Sequence, residues 1–546
     1  MAGLSRSTRS DWVQLGFRAS TDLGTDQWSE KSESGGRSPT SEPPWDVMSL
    51  LKTRGRPVAE PRTCHRMEDK ATGWWSQLVA ASAAALCVVV AGSCFGWVTP
   101  ILLTFLSPES PVPMTSVGAS WMISLLEFGN LLTPIPAGFL ADTYGRKPLI
   151  LATGPLYIIG WIIIMNTQTL TVLCVARVLQ GLALGIVYTV VPMYLGEIPS
   201  PKFRGAVTSI FQSAFYFGFL LEYCIGPFVS YRILNAVSAA LPVIFIVCFL
   251  RQPETPYFLV MQGKMKEAAK SLAWLRGKQR PEEVMSELES IDECVKREMA
   301  NQASWKDVVA TTADRHALLI VNVVGVVKIM SGSVCIPTYS TQLFARTGFD
   351  MVSPDVITIV MGTVIFLSSF FSTALTDITG RRPLLMISAV GCAFSHLAVS
   401  IYFFLDERTG IDVRAFNWIC PLALVLYCLF LAFGLDPVAM TYRSEMFPAN
   451  TRAVAASINT LIFTISAFIS LKGYQVVADT VGFDVLYLGF SLVCFCGAFW
   501  MYYIAIETKG KTLSDIQNEL QESAEMRRKQ KEIREMDEGV YRSVYI

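Results

Sequence analysis

Apolar residues arrive in long unbroken runs, and no other feature restricts the fold of this chain so strongly. Residues 78–106, 117–141, 149–165 and 170–195 follow one another with only short polar breaks. Two more runs, 205–229 and 234–250, close this first group. Six others come later, at 316–344, 354–376, 384–405, 418–443, 454–478 and 483–506. A helix needs about 20 mostly apolar residues to cross the ~30 Å core of a bilayer. Inside that core only helices and closed barrels satisfy every backbone N–H and C=O. The expectation is an all-α membrane protein with twelve transmembrane helices, of which 149–165 and 234–250 are the shortest.

Composition excludes the main alternatives. Of 546 residues, 52% are hydrophobic and 16% charged, against about 25% charged in soluble domains. Lys and Arg number 45, as do Asp and Glu, and no basic stripe exists to neutralise nucleic-acid phosphates. There are three His and no nucleophile–base pair, metal cluster or phosphate loop in a context that would use it. We therefore expect no enzyme, no cofactor and no metal site. Eleven of the 13 Cys fall inside apolar runs, where a thiol acts as a small hydrophobe. The other two, Cys64 and Cys294, fall in polar stretches assigned below to the cytoplasm, where structural disulfides are not expected.

The polar segments divide the chain. Residues 1–70, rich in Ser, Arg, Pro and Gly, cannot bury a core and read as a disordered cytoplasmic tail. A six-helix half spans 71–250, a cytoplasmic central loop with short helices spans 251–315, and a second half spans 316–506. A charged cytoplasmic tail, 507–546, follows. Orientation comes from the short loops: Arg146/Lys147, Lys202/Arg204, Arg381/Arg382 and Arg452 share the side that holds the basic-rich central segment. Basic loops face the cytoplasm, which puts both termini there.

The halves repeat their polar punctuation in order. Asp142-x-x-Gly145-Arg146-Lys147 is matched by Asp377-x-x-Gly380-Arg381-Arg382. Glu197 with Arg204 seven residues on is matched by Glu445 with Arg452, and Glu254-Thr255 by Glu507-Thr508. Three matches in the same order imply a duplicated unit, the arrangement that suits alternating access around a site near mid-membrane. These charges sit where helices meet cytoplasm. Their ion pairs are expected to lock those ends together and to break as the site opens inward.

Together with Arg177-Val-Leu-Gln-Gly181, Pro192-Met-Tyr-Leu-Gly-Glu197 and Glu445-Met-Phe-Pro448, these motifs resemble the sugar-porter family of the major facilitator superfamily over about 78–516. Phe95 to Pro100 and Glu507 to Leu513 look most like the insect branch that includes facilitated trehalose transporters. The resemblance implies the major facilitator fold, adds Arg177 to the charged set, and implies a polyol-like solute. It places a sugar-binding amide at Gln212. In the registers of the other sugar contacts this chain carries Lys328 to Val334 in span seven, Met440 in place of a stacking Trp in span ten, and Phe463 in place of an Asn in span eleven. Cys94 stands where proton-coupled members carry an acid.

Ionisable groups inside spans default to functional hypotheses. Lys328 and Asp436 both fall near mid-membrane, as an ion pair with each other or as handles for a charged or zwitterionic solute. Snorkelling of Lys328 and helix capping by Asp436 are the alternatives. Glu127 and Glu222 read as helix–helix hydrogen-bonding groups and His396 as packing. Gln212, Lys328, Asp436 and Met440 are thus the candidate solute contacts. The expected function is a monomeric plasma-membrane carrier for a small polar solute, with trehalose or a hexose as the family default. A non-transporting solute sensor built on the same fold is the alternative.

Overall fold

The computed structural model describes residues 73–522 apart from 201, 301–305, 350, 410 and 412, and without the side chains of 204, 373, 414, 449, 450 and 453. The 1–70 tail and the chain beyond 522 lie outside the described residues. The first half comprises α1 (Trp74–Gly96, continued by Val98–Leu106), α2 (Ser116–Leu132 with Pro134–Tyr144), α3 (Arg146–Asn166), α4 (Leu170–Glu197), α5 (Arg204–Ile225) and α6 (Tyr231–Phe249). The second comprises α7 (Thr312–Lys328 with Cys335–Arg346), α8 (Pro354–Thr379), α9 (Arg381–Arg408), α10 (Ile419–Phe430 with Asp436–Glu445), α11 (Ala449–Thr480) and α12 (Phe483–Ile504). Between the halves lie short helices at Pro256–Met261, Met265–Leu275 and Met285–Ala300.

Among the described residues ten helices are long and apolar enough to cross a bilayer, and the bent pair forming α2 makes eleven. The twelfth, α5, is more polar but has 22 residues and is packed along α1. Spans three and six are the two shortest, as expected, but α3 with 21 residues and α6 with 19 are each long enough to cross. Their first turns begin with Arg146-Lys147 and Tyr231-Arg232, which an apolar count leaves out.

Start signals are local. Thr115, Thr311 and Ser353 each accept a hydrogen bond from the backbone N–H three residues on, relieving a donor that the first turn leaves unpaired. The interruptions matter more. The α2 pair is bent by 46° ahead of Pro134, whose missing N–H and fixed φ suit a fresh helix start. A wide turn, Ile329–Ser333, breaks α7, with Gly332 at φ 90°, a conformation open mainly to glycine. Another wide turn, Leu431–Leu435, precedes Asp436 and Pro437 in α10. Both breaks carry local signals, Ser331-Gly332-Ser333 in α7 and Gly434 with Pro437 in α10, but each lies between apolar stretches, so each run reads as one span.

Helices cross closely where glycines meet. A Cβ added at Gly92 in α1 would lie 2.1 Å from the Phe215 carbonyl oxygen in α5, and one at Gly218 would lie 2.3 Å from that of Val89. Gly129 in α2 and Gly181 in α4 form the same kind of crossing. With lipid as apolar as the helices, close backbone contact is a main source of association. The eleven cysteines in the spans are free thiols. Cys294 departs from expectation: it is disulfide-bonded.

Candidate functional site

The repeated motifs build two matching corners at the end that carries the central segment. Arg146, 2% exposed, bridges Asp142 and Glu197, each at 3.1 Å, and so ties α2, α3 and α4 together. In the second half Arg381 bridges Asp377 at 3.1 Å and Glu445 at 3.0 Å, joining α8, α9 and α10. All four pairs lie within one half. They stiffen each half rather than lock one half to the other, which corrects the cross-half lock expected from the motifs.

Glu254 and Glu507 also depart from the ion-pair expectation. Glu254 accepts the Lys147 N–H at 3.0 Å, and Glu507 accepts those of Arg381 and Arg382, both at 3.0 Å. Each carboxylate thus caps the helix that follows the glycine of its motif. Gly145 (φ 111°) and Gly380 (φ 95°) make that approach possible, since a Cβ there would meet the capping oxygens at 2.4 and 2.9 Å. The two caps differ electrostatically. Burial dominates at Glu254 and holds its carboxyl above the ordinary value. At Glu507 burial also opposes ionisation, but the N–H groups of Lys509, Arg381, Arg382 and Thr508 together outweigh it and hold the carboxyl below.

A depressed folded-state value stabilises only the ionised form, so the Glu507 contribution is full above the unfolded carboxyl value of about 4.3 and fades as pH falls through the folded value. Glu507→Gln should therefore lower stability by about 1 kcal/mol near neutrality and by clearly less near pH 4. Equal losses at both pH values in a thermal-unfolding series would refute the ionised cap.

Two members of the charged set behave otherwise than expected. Arg177 forms no ion pair among the described residues. It donates to the Cys94 carbonyl at 2.7 Å and to Gln180 at 3.0 Å, beneath the Trp97 ring. Arg452 is exposed and donates to the Phe447 carbonyl rather than to Glu445. Arg204 begins α5, and its side chain lies outside those described.

At the centre, both breaks present charge to one point. Lys328 ends the first segment of α7, Asp436 opens the second segment of α10, and the two buried side chains form an ion pair. The other Asp436 oxygen accepts from Tyr216 at 2.6 Å and from Gln212 at 3.0 Å, both on α5 of the opposite half. Asp436 therefore does not cap its own helix, and Lys328 does not snorkel. Gln212, Lys328 and Met440 line a cavity between the halves that leaves about 1030 Å³ free of protein atoms, its open mouth included. Phe95, Tyr188, Phe215, Phe219 and Phe463 form much of its wall. Beyond the cavity, at the end away from the central segment, the halves touch. Thr99 and Tyr223 donate to the Pro337 carbonyl, and Lys472 donates to Ser120 at 2.8 Å while lying over the Trp121 ring.

The remaining intramembrane candidates separate. Glu222 accepts from Ser93 and Ser238 and so joins α1, α5 and α6. Glu127 does not bridge helices: its partner is Asn130 in its own helix, at 2.8 Å, and it faces the cavity. His396 is packed among Tyr427, Tyr487 and Phe490 and is only half satisfied, with Nε2 on the Ser331 carbonyl at 2.9 Å and Nδ1 unpartnered. Sequence reasoning missed Arg443, Tyr216 and Lys472. Lys472 was detectable as a basic residue inside an apolar run. Arg443 stood at the predicted end of span ten, where a flanking role is the default.

A sequence model of the sugar (and other) transporter family matches residues 76–520. The chain belongs to the sugar (and other) transporter family. Family membership makes it a multi-pass membrane transporter and not an enzyme. Among relatives, the facilitated trehalose transporter of Bombyx mori is 29% identical over 472 residues, covering 86% of this chain and 92% of that one. That of Drosophila willistoni is 29% identical over 450 residues, and the chain spans about half its length (51%). Solved structures agree on the major facilitator fold. The proton:xylose symporter bound to 6-bromo-6-deoxy-D-glucose aligns with TM-score 0.65 at 18% identity over 82% of this chain and 99% of that one. The partially occluded inward-open xylose transporter of E. coli gives 0.66 at 19%, over 80% and 100%.

Proposed function

We propose that the chain is an alternating-access carrier that moves a small polar solute through the cavity between its halves. In this reading it sits in the plasma membrane with both termini and the central segment in the cytoplasm. The observation that carries the reading is the grip on Asp436. Lys328 holds it from its own half, while Gln212 and Tyr216 hold it from the other. A rocking of the halves must break the second contact and not the first, and the Arg146 and Arg381 corners let each half move as a body. The relatives named as trehalose transporters make a sugar the first solute to test. Gln212, the one retained family amide, is already committed to a carboxylate.

Two measurements test the proposal. Uptake of labelled trehalose and glucose, in cells lacking endogenous carriers and with surface expression verified, should be saturable if the cavity reads sugars. Gln212→Ala should abolish that uptake. Independently of solute, spin labels at Ser107→Cys and Arg346→Cys, at the far ends of α1 and α7, should show two distances as pH and added solutes vary. A single invariant distance would rule out alternating access.

A further inference from the structure

Two of the charges that face the cavity are unpaired. Lys328 and Asp436 neutralise each other, and the second Asp436 oxygen is held by Gln212 and Tyr216. Glu127 on α2 and Arg443 on α10 line the same cavity from opposite halves. Among the described residues neither has an ionic partner. Glu127, 5% exposed, takes one hydrogen bond, from Asn130. Arg443 donates to the Ala456 carbonyl at 2.9 Å and to Thr460 at 2.5 Å.

Helix α11 relates the two positions. Arg443 is anchored on Thr460, and Asn130, which holds Glu127, reaches Thr464 at 3.4 Å. Residues four apart on a helix are neighbours about 5–6 Å apart. The free carboxylate and the free guanidinium thus stand either side of a single turn, over one cavity. Two further polar groups there lack a partner: Asn130 Oδ1, on a side chain 4% exposed, and Ser333 Oγ.

An intramembrane charge without a partner is expensive, and this cavity keeps one of each sign. A hexose would leave both uncompensated, and a simple cation or anion would leave one. We propose that the transported solute is a small zwitterion, its ammonium at Glu127 and its carboxylate at Arg443. The carboxylate can take the two-pronged bond that a guanidinium offers. The rings of Phe95, Tyr188, Phe215 and Phe219 supply an apolar wall for its carbon chain and π faces for its cationic end. This assignment rests on the carrier reading and names its substrate class.

The test uses purified full-length protein and a ligand ruler: glycine, β-alanine, γ-aminobutyrate and δ-aminovalerate, with trehalose and glucose alongside, read by thermal unfolding and equilibrium binding. One chain length should stabilise best. Its methyl ester and its N-acetyl form should each bind at least about thirtyfold more weakly, the usual consequence of leaving a buried charge unmatched. Glu127→Gln and Arg443→Gln should each remove the preference for the zwitterion over its capped forms. If either variant fails to fold, the capped ligands still decide the matter on the unaltered protein. Stabilisation by a sugar but by no amino acid, equal binding of capped and uncapped forms, or no shift with any of the four overturns the assignment. The spin-label distances separate it from the carrier reading: two distances without zwitterion binding refute the solute class alone, and zwitterion binding with one fixed distance refutes the carrier alone.

Discussion

Asp436→Lys, with Lys328 left in place, should prevent the protein from reaching the cell surface, and exchanging the two residues should restore much of what is lost. Removing one partner of a buried ion pair destabilises by about 3–5 kcal/mol, because the other charge is left bare. That is a large share of a total stability of about 5–15 kcal/mol. Here the loss is compounded, since Gln212 and Tyr216 lose their acceptor as well. The paired apolar replacement, Lys328→Met with Asp436→Leu, should fold, since well-packed apolar residues can stand in for a buried pair. It should nonetheless shift the balance of conformations, because the bridge to α5 is gone. Tyr216→Phe isolates that bridge: one charge-assisted bond, about 1.5–3 kcal/mol, is removed from the state seen here and from no contact within a half. The population with the far ends closed should fall in the spin-label distances. If Lys328→Asp alone and the double exchange give the same surface expression and melting behaviour, the pair contributes nothing.

Most of the fold was legible because bilayer physics leaves few choices. Twenty apolar residues can be little but a spanning helix, and the span centres read from hydropathy coincide with the helices found. The duplicated motifs were legible too, though not their chemistry. An acid near an arginine in sequence suggests an ion pair, whereas Glu254 and Glu507 meet backbone N–H groups brought to them by glycines at positive φ. Side-chain type cannot distinguish those outcomes. Lys328 and Asp436 could be placed at similar depth by counting residues, but the three-way grip on Asp436 could not, since it depends on how the chain turns at the breaks in α7 and α10 and on how α5 packs against them. Arg443 shows the opposite failure. It sits at a helix end that sequence assigns to the interface, and only the packing of α10 on α11 turns its head toward Thr460 and the cavity.

The second large effect is expected at Gly181, inside the Arg177-Val-Leu-Gln-Gly181 motif. A Cβ there would sit 2.1 Å from the Leu126 carbonyl oxygen and 2.8 Å from the Gly129 Cα. Both are backbone atoms, so no rotamer change relieves the clash and the helices must separate. Gly181→Leu should therefore abolish surface expression, and Gly181→Ala should lower stability by about 1–3 kcal/mol as an overpacked contact. Gly489→Ala is the control: a Cβ there meets nothing within 4 Å, so helix propensity alone applies and stability should hold or rise by up to about 1 kcal/mol. The crossing also bears on the site, because Asn130 N lies 3.0 Å from that same Cβ position, and Asn130 holds Glu127 and reaches Thr464. A Gly181→Ala protein that still folds should thus displace Glu127 from the turn of α11 that carries Arg443's anchor, weakening binding of the matched zwitterion while leaving that of its N-acetyl form nearly unchanged. Equal weakening of both would mean the motif glycine sets stability alone, and that the α2–α4 contact does not position the cavity carboxylate.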